Sequence, residues 1–290
     1  MMRAVHMILL VVLSVTSCSP HHQDTEKLNV FVSILPQKFF VEQIAKDNVS
    51  IHVMILPGHS PVIFESTPSQ MKEISRADIF FRIGLPFEDA WLKKLQSINP
   101  DLEIIDTREG ITLRNMDSFD KHHEHSRQKD PHIWLSPKLV KIQSRTICNA
   151  LQKYDPNNRE FYEQNLLKFM VALDSLQKDI QTQLDSLDTR SFLVFHPSWG
   201  YFADEFELKQ IPIEIEGKSP SPKQMTHILE IVKKEQIDVV FVQKQFSSAA
   251  AKAIADAIDG QIIQIDPLAE NYLKNMHEIV RIFKSVLDKK

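Results

Sequence analysis

Glycine is scarce in this chain, and its few glycines stand far apart. There are six among 290 residues, and each is isolated from the others. The G-x-G-x-x-G motif and the P-loop both need closely spaced glycines that let the backbone approach a phosphate. Neither motif occurs in this sequence. This absence argues against a nucleotide-dependent enzyme.

An excess of basic residues is also missing. The 34 lysines and arginines are outnumbered by 38 aspartates and glutamates, which gives a net charge of -4 and a pI near 6.3. A nucleic-acid-binding surface normally carries a basic patch. We therefore expect no nucleic-acid partner.

Three catalytic signatures are absent as well. The H-E-x-x-H of zinc proteases does not occur. The "HHE" at 122–124 lacks the P-C-x-x-C that completes a zinc deaminase site, and the "HPSWG" at 196–200 does not match the G-x-S-x-G elbow. We predict a protein that is not an enzyme, and a metal-dependent hydrolase remains an alternative.

Only two cysteines occur, and the first of them follows a short apolar run. Arg3, the run "MILLVVLSV" and the sequence "VTSC" ending at Cys18 resemble a bacterial lipoprotein signal. This predicts a signal peptide over 1–17, a lipid on Cys18 and a tether over 18–27; a plain secretory signal is the alternative. Cys148 would then have no disulfide partner, and its helical surroundings predict a small core residue.

Apolar runs typical of strands alternate with helical patterns in two similar halves. The alternation predicts an α/β protein of two lobes, each a parallel sheet flanked by helices. We place the N-terminal lobe at 28–140 and the C-terminal lobe at 189–290, with linker helices over 141–188. From Arg159 to about Leu187 apolar residues recur every three to five positions without Gly or Pro. This favours one long rigid helix of roughly 40 Å, with two shorter helices as the alternative.

Polar residues follow several of the predicted strands, at the edge where open α/β sheets bind ligands. They are His59, Glu65, His132, His196, Glu216 and Asp266. We expect His196 and Asp266 to lie at neighbouring strand ends, and further imidazoles from the other lobe would complete a Zn²⁺ site. Taken singly, each has an ordinary interpretation, such as an exposed histidine or an Asp266 that caps a helix.

Four segments carry a resemblance to a known family. They are "PGHSPVIFESTP", "DPHIWLSP", "FHPSWGYF" and "IDPL". From about residue 28 to its end the chain resembles the substrate-binding lipoproteins of ABC transporters that import zinc or manganese, the ZnuA/TroA type. The resemblance implies two α/β lobes joined by a long rigid helix.

The resemblance also implies a set of metal ligands. Position by position, these are His132, His196 and Asp266, but the family's loop histidine falls on Val62, which cannot bind metal. We predict His59 as the fourth ligand, with water or Glu65 as alternatives. Three histidines and a carboxylate suit Zn²⁺, whereas more oxygen ligands would favour Mn²⁺.

Partners and location follow from the same resemblance. We expect a monomer in the bacterial cell envelope, on the periplasmic or cell-surface side, held to the membrane by the lipid on Cys18 and serving an ABC permease. His122, His123 and His125 fall in a short polar insertion that either collects Zn²⁺ loosely or is a solvated connector. An adhesion or assembly lipoprotein with weakened metal binding is a further alternative.

Overall fold

The structure is a computed structural model that describes residues 27–59, 61, 64, 66–117, 128–214, 218–244 and 249–288. Several predictions fall outside these residues: those for the signal peptide and Cys18, for Val62 and Glu65, for Glu216, and for His122, His123 and His125.

The first sheet is parallel and has the strand order β2-β1-β3-β4. Its strands are β1 (Leu28–Val32), β2 (Val49–Val53), β3 (Ile79–Arg82) and β4 (Glu103–Asp106). Its helices are α1 (Leu35–Ala45), α2 (Pro68–Ile74) and α3 (Pro86–Ile98). Val30, Phe31 and Val32 are fully buried, because helices cover both faces of a parallel sheet.

Two helices connect the sheets: α4 (Pro137–Tyr154) and α5 (Arg159–Leu184). The 26 residues of α5 span about 39 Å at 1.5 Å per residue, which confirms the long helix. It ends at Leu184, three residues before the predicted end, and Leu187 packs into the core from the following turn. Among the described helices, none has the length and hydropathy to cross a membrane.

The second sheet is also parallel and has the order β6-β5-β7-β8. Its strands are β5 (Ser191–Val194), β6 (Lys209–Pro212), β7 (Val239–Gln243) and β8 (Gln261–Ile265). Its helices are α6 (Gly200–Glu205), α7 (Pro222–Lys234), α8 (Ala249–Ala257) and α9 (Tyr272–Leu287). Helix α5 packs against α1 of the first lobe and α9 of the second. The two-lobe fold class is therefore confirmed.

The strand order corrects one prediction. His196 follows β5 and Asp266 follows β8, and β7 lies between these strands. They are not at neighbouring strand ends, because periodicity identifies strands but carries no information about their lateral order. The order places the switch point, where ligands of open α/β sheets bind, between β5 and β7, beside His196.

Candidate metal centre

His132 is held by the turn that precedes α4. The Oδ1 atom of Asp130 accepts hydrogen bonds from the His132 backbone N–H at 2.9 Å and from its Nδ1 atom at 2.7 Å. Because a carboxylate only accepts, the Nδ1 atom carries the proton and the Nε2 atom presents its lone pair. The 3-10 turn Ile133–Leu135 follows at once and is buried. This turn fixes the direction of the ring.

His196 is held by the two strands that flank β5. Gln243, the last residue of β7, accepts from the His196 backbone N–H at 3.3 Å and donates to its carbonyl at 2.8 Å. After β6, the Oε1 atom of Glu214 lies 3.2 Å from the His196 Nδ1 atom. This carboxylate selects the tautomer with a proton on Nδ1, as Asp130 does for His132.

The two imidazoles face each other across the lobes. Their Nε2 atoms are 3.4 Å apart, and the rings lie at 73° with centroids 5.2 Å apart. Since both Nδ1 atoms donate to carboxylates, both Nε2 atoms are acceptors and make no hydrogen bond with each other. A tetrahedral Zn²⁺ with Zn–N bonds of about 2.0–2.1 Å places two nitrogen ligands about 3.3–3.4 Å apart. The observed separation fits two ligands of one metal ion.

Burial favours the form of His132 that binds metal. The side chain of His132 is 9% exposed, and burial lowers its pKa below the usual value, while Asp130 acts in the opposite direction. A lowered pKa keeps the ring neutral at physiological pH. A neutral ring offers a metal ion its lone pair without first losing a proton.

Asp266 and His59 line one cavity between the lobes. The cavity has a volume of about 200 Å³ and includes residues of both lobes. The Oδ1 atom of Asp266 accepts from the backbone N–H of Leu268 at 2.9 Å, and Asn275 donates to the Asp266 carbonyl at 2.7 Å. His59 is exposed, with its Nδ1 atom 3.4 Å from the carbonyl of Pro57. The carboxylate is therefore held on a short turn, and the loop imidazole stands at the rim.

The loop that carries Asp266 is attached to the first lobe. The indole N–H of Trp134 donates to the carbonyl of Pro267 at 2.8 Å. Lys38 on α1 forms an ion pair with Glu270. The DPHIW segment thus holds His132 and also the backbone beside Asp266.

The structure gathers part of the predicted ligand set. His132 meets His196, whereas His59 and Asp266 share a cavity. Within the described part of the chain, no group of three His, Cys, Asp or Glu side chains is close enough to hold one ion. The assignment of all four residues as ligands stays a prediction.

Three supporting residues were missed from the sequence: Asp130, Glu214 and Gln243. A signal existed for Asp130, because it stands two residues before His132 in the "DPHIW" segment. For the other two the signal was weak. Glu214 lies two residues from the Glu216 that was considered, and only strand pairing brings it to His196.

Comparison with known proteins gives a consistent result. The family described as "Zinc-uptake complex component A periplasmic" matches residues 30–286. The high-affinity zinc uptake system protein ZnuA of Bacillus subtilis is 28% identical over 245 residues, covering 80% of this chain and 76% of that protein. The manganese ABC transporter substrate-binding lipoprotein PsaA of Streptococcus mitis is 25% identical over 264 residues, 86% of this chain and 83% of that protein.

A solved structure agrees in both sequence and fold. A crystal structure of ZnuA is 37% identical to this chain and has a TM-score of 0.85. The match covers 90% of this chain and 100% of the ZnuA chain. The fold and the family match together define a metal-binding solute-binding protein of the two-lobe α/β class. The chain belongs to the zinc-uptake complex component A family. Its members serve metal ABC importers and are not enzymes, which removes the hydrolase alternative.

Proposed function

We propose that the chain captures Zn²⁺ between its lobes and delivers it to the permease of an ABC importer. The observation that carries this proposal is the His132–His196 pair, whose Nε2 atoms stand 3.4 Å apart. Each ring has its Nδ1 atom against a carboxylate, Asp130 or Glu214. Such carboxylate–histidine pairs are typical of zinc ligands.

Asp266 and His59 complete the proposed ligand set. Both line the cavity beside Ile34 and Leu268. His59 is exposed and follows Gly58, whose φ of +83° gives the loop a turn that other residues rarely adopt. With all three imidazoles on the ion the site prefers Zn²⁺, whereas replacement of His59 by an oxygen ligand moves the preference toward Mn²⁺.

The location and partners of the protein are part of the same proposal. The lipid on Cys18 holds a monomer at the extracytoplasmic side of the envelope, within reach of the permease. The relatives whose names include "lipoprotein" support this arrangement. In the insertion, His122, His123 and His125 add only weak Zn²⁺ binding or none.

A titration of the metal-free protein tests the proposal. We expect tight Zn²⁺ binding with one ion per chain, measured by competition with a chromophoric chelator. His132→Ala and His196→Ala should each weaken binding by more than tenfold, which is about 1.4 kcal/mol, because each removes a direct ligand. Mn²⁺ in the same assay decides which metal is preferred.

A matched control is available on α7. His227 is an exposed imidazole beside Glu230, so His227→Ala should leave affinity unchanged. Wild-type affinity in both His132→Ala and His196→Ala would refute the site. If the unaltered protein binds neither Zn²⁺ nor Mn²⁺, the proposed function itself fails.

A further inference from the structure

A short antiparallel stem stands on either side of the histidine-rich insertion in the sequence. We define the stem as 114–116 and 128–130, joined by a bridge between Asn115 and Lys129. The backbone N–H of Asp130 donates to the carbonyl of Arg114 at 3.0 Å. The second arm of the stem ends at Asp130, two residues before His132.

Arg114 on the stem binds three carboxylates with one guanidinium. Its Nη1 atom lies 3.2 Å from the Oδ2 atoms of both Asp130 and Asp117, and its Nη2 atom 2.9 Å from Asp117 Oδ1. Its Nε atom lies 2.8 Å from Asp204 on α6. Arg114 therefore connects the stem, the turn of His132 and the second lobe.

Asp130 divides its two oxygens between Arg114 and His132. Oδ1 serves the histidine, and Oδ2 accepts from the guanidinium. The Asp130 side chain is fully buried, whereas that of Arg114 is 20% exposed. A buried carboxylate needs a partner of opposite charge, and Arg114 provides one. The orientation of the His132 ring thus depends on a carboxylate that Arg114 stabilises.

The "FHPSWGYF" segment leaves space for this arrangement. A Cβ atom at Gly200 would lie 1.7 Å from Arg114 Nη1 and 2.8 Å from Asp130 Oδ2. The hydroxyl of Tyr201 accepts from the backbone N–H of Arg114 at 3.1 Å and donates to the carbonyl of Asp130 at 2.9 Å. The segment that carries His196 therefore also surrounds the group behind His132.

We propose that Arg114 is a positioning residue for metal capture, acting through Asp130 to fix the tautomer and direction of the His132 ring. The effect on metal affinity rests on the proposed function. The effect on the ring does not, because it is a property of the metal-free protein. Through the same contacts, the stem is linked to His132, a proposed metal ligand.

The first experiment observes the ring directly. The ¹⁵N shifts of the His132 imidazole, assigned by their loss in His132→Gln, should show a protonated Nδ1 atom in the metal-free protein at neutral pH. Arg114→Met removes the donor that holds the Asp130 carboxylate in place, so this carboxylate should contact the Nδ1 atom less often and both shifts should move toward the average of two tautomers. Arg114→Lys should restore them in part, and this variant also serves if Arg114→Met does not fold.

A control distinguishes an effect of Arg114 through Asp130 from an effect of its ion pair with Asp204 in the second lobe. Asp204→Asn removes the ion pair to α6 and leaves Arg114 on Asp130, so the shifts should stay as in the native protein. Unchanged shifts in Arg114→Met, whatever its melting temperature, would overturn the proposal. Equal shift changes in Asp204→Asn and Arg114→Met would also overturn it.

The second experiment measures Zn²⁺ affinity in a double-mutant cycle. Asp130→Asn should weaken binding about 10- to 100-fold, and Arg114→Met about tenfold. Because Arg114 acts through Asp130, their combination should be no weaker than Asp130→Asn alone. The control is Arg108, a half-buried arginine paired with Asp106. Arg108→Met should leave Zn²⁺ affinity unchanged both in the native chain and in Asp130→Asn.

The outcomes remain distinguishable. Independent, additive losses for Arg114→Met and Asp130→Asn would contradict a route through Asp130. If the native protein binds no Zn²⁺ or Mn²⁺, the proposed function fails, and the imidazole shifts alone decide the role of Arg114.

Discussion

At the scale of single residues, the candidate centre depends on which nitrogen of each histidine carries the proton. Asp130 and Glu214 accept hydrogen bonds from the two Nδ1–H groups, so the lone pairs lie on the Nε2 atoms, which are 3.4 Å apart. A bare histidine pair would have no such preference, because the two neutral tautomers of a free imidazole are both accessible. The carboxylates therefore determine the chemistry of the pair, although neither was a candidate from the sequence.

Cys148 gives a residue-scale prediction with a defined pH dependence. Burial, and then Glu163 3.9 Å from its sulfur, raise the pKa of the thiol to about 12. Thiolate is the reactive form, so at pH 9 only about one thiol in a thousand is ionised. In a chain carrying Cys18→Ser, iodoacetamide should label native Cys148 several hundredfold more slowly than Cys148 unfolded in guanidinium chloride.

The pH profile provides the contrast for Cys148. The native labelling rate should keep rising tenfold per pH unit above pH 9, whereas the unfolded rate levels off near the ordinary thiol pKa of about 8.5. Labelling is followed by intact mass. Equal rates in the native and unfolded chains at pH 9 would contradict a buried, protonated thiol.

At the scale of elements, the position of α6 depends on the absence of a side chain at its first residue, Gly200. Gly200 begins the helix with ordinary backbone angles, and its role is the close approach of Arg114. Gly200→Ala should lower the free energy of unfolding by about 1–3 kcal/mol, because the added methyl group overpacks the guanidinium and the Asp130 carboxylate. Urea denaturation followed by circular dichroism measures this loss.

The matched test for Gly200→Ala replaces its neighbour Arg114 by the smaller methionine. In an Arg114→Met background the flexible methionine can move aside, so the penalty of the same substitution should shrink by at least half. An undiminished penalty would assign the cost to the backbone of α6 and not to Arg114.

The elements themselves were largely predictable from the sequence, and their arrangement was less so. The runs "IDVVFVQ" and "QIIQID" became β7 and β8. Strand β7 is buried throughout and locally apolar, as expected of a parallel strand covered on both faces, whereas β8 is a largely exposed edge strand whose isoleucines favour strand formation. The separation of β5 from β8 was not predictable, since pairing joins residues far apart in the chain. Glu214 was missed for the same reason: its partner His196 lies 18 positions away, just after the neighbouring strand β5.

At the scale of the whole molecule, several contacts hold the two lobes at a defined distance. Helix α5 packs on α1 and α9, Arg114 binds Asp204, and Trp134 binds the carbonyl of Pro267. These contacts surround the candidate centre on more than one side. Because a tetrahedral metal ion tolerates little change in ligand spacing, a fixed distance between lobes favours one ion and resists large hinge motion.

Trp134 provides the test of this view. Trp134→Phe keeps an aromatic ring in the core but leaves the buried carbonyl of Pro267 without its donor, which costs about 1–3 kcal/mol. We expect the loop after β8 to open more often, so the amide of Leu268, bonded to Asp266 Oδ1, should exchange with deuterium at least tenfold faster. Zn²⁺ affinity should fall several-fold, because Asp266 is then less often in place.

Trp91→Phe is the control, since Trp91 is half-buried in the first lobe beside Phe64, and it should change neither the exchange rate nor the Zn²⁺ affinity. Faster exchange across the whole second sheet, and not in the Asp266 loop, would instead mean that Trp134 stabilises the fold without setting the distance between the lobes.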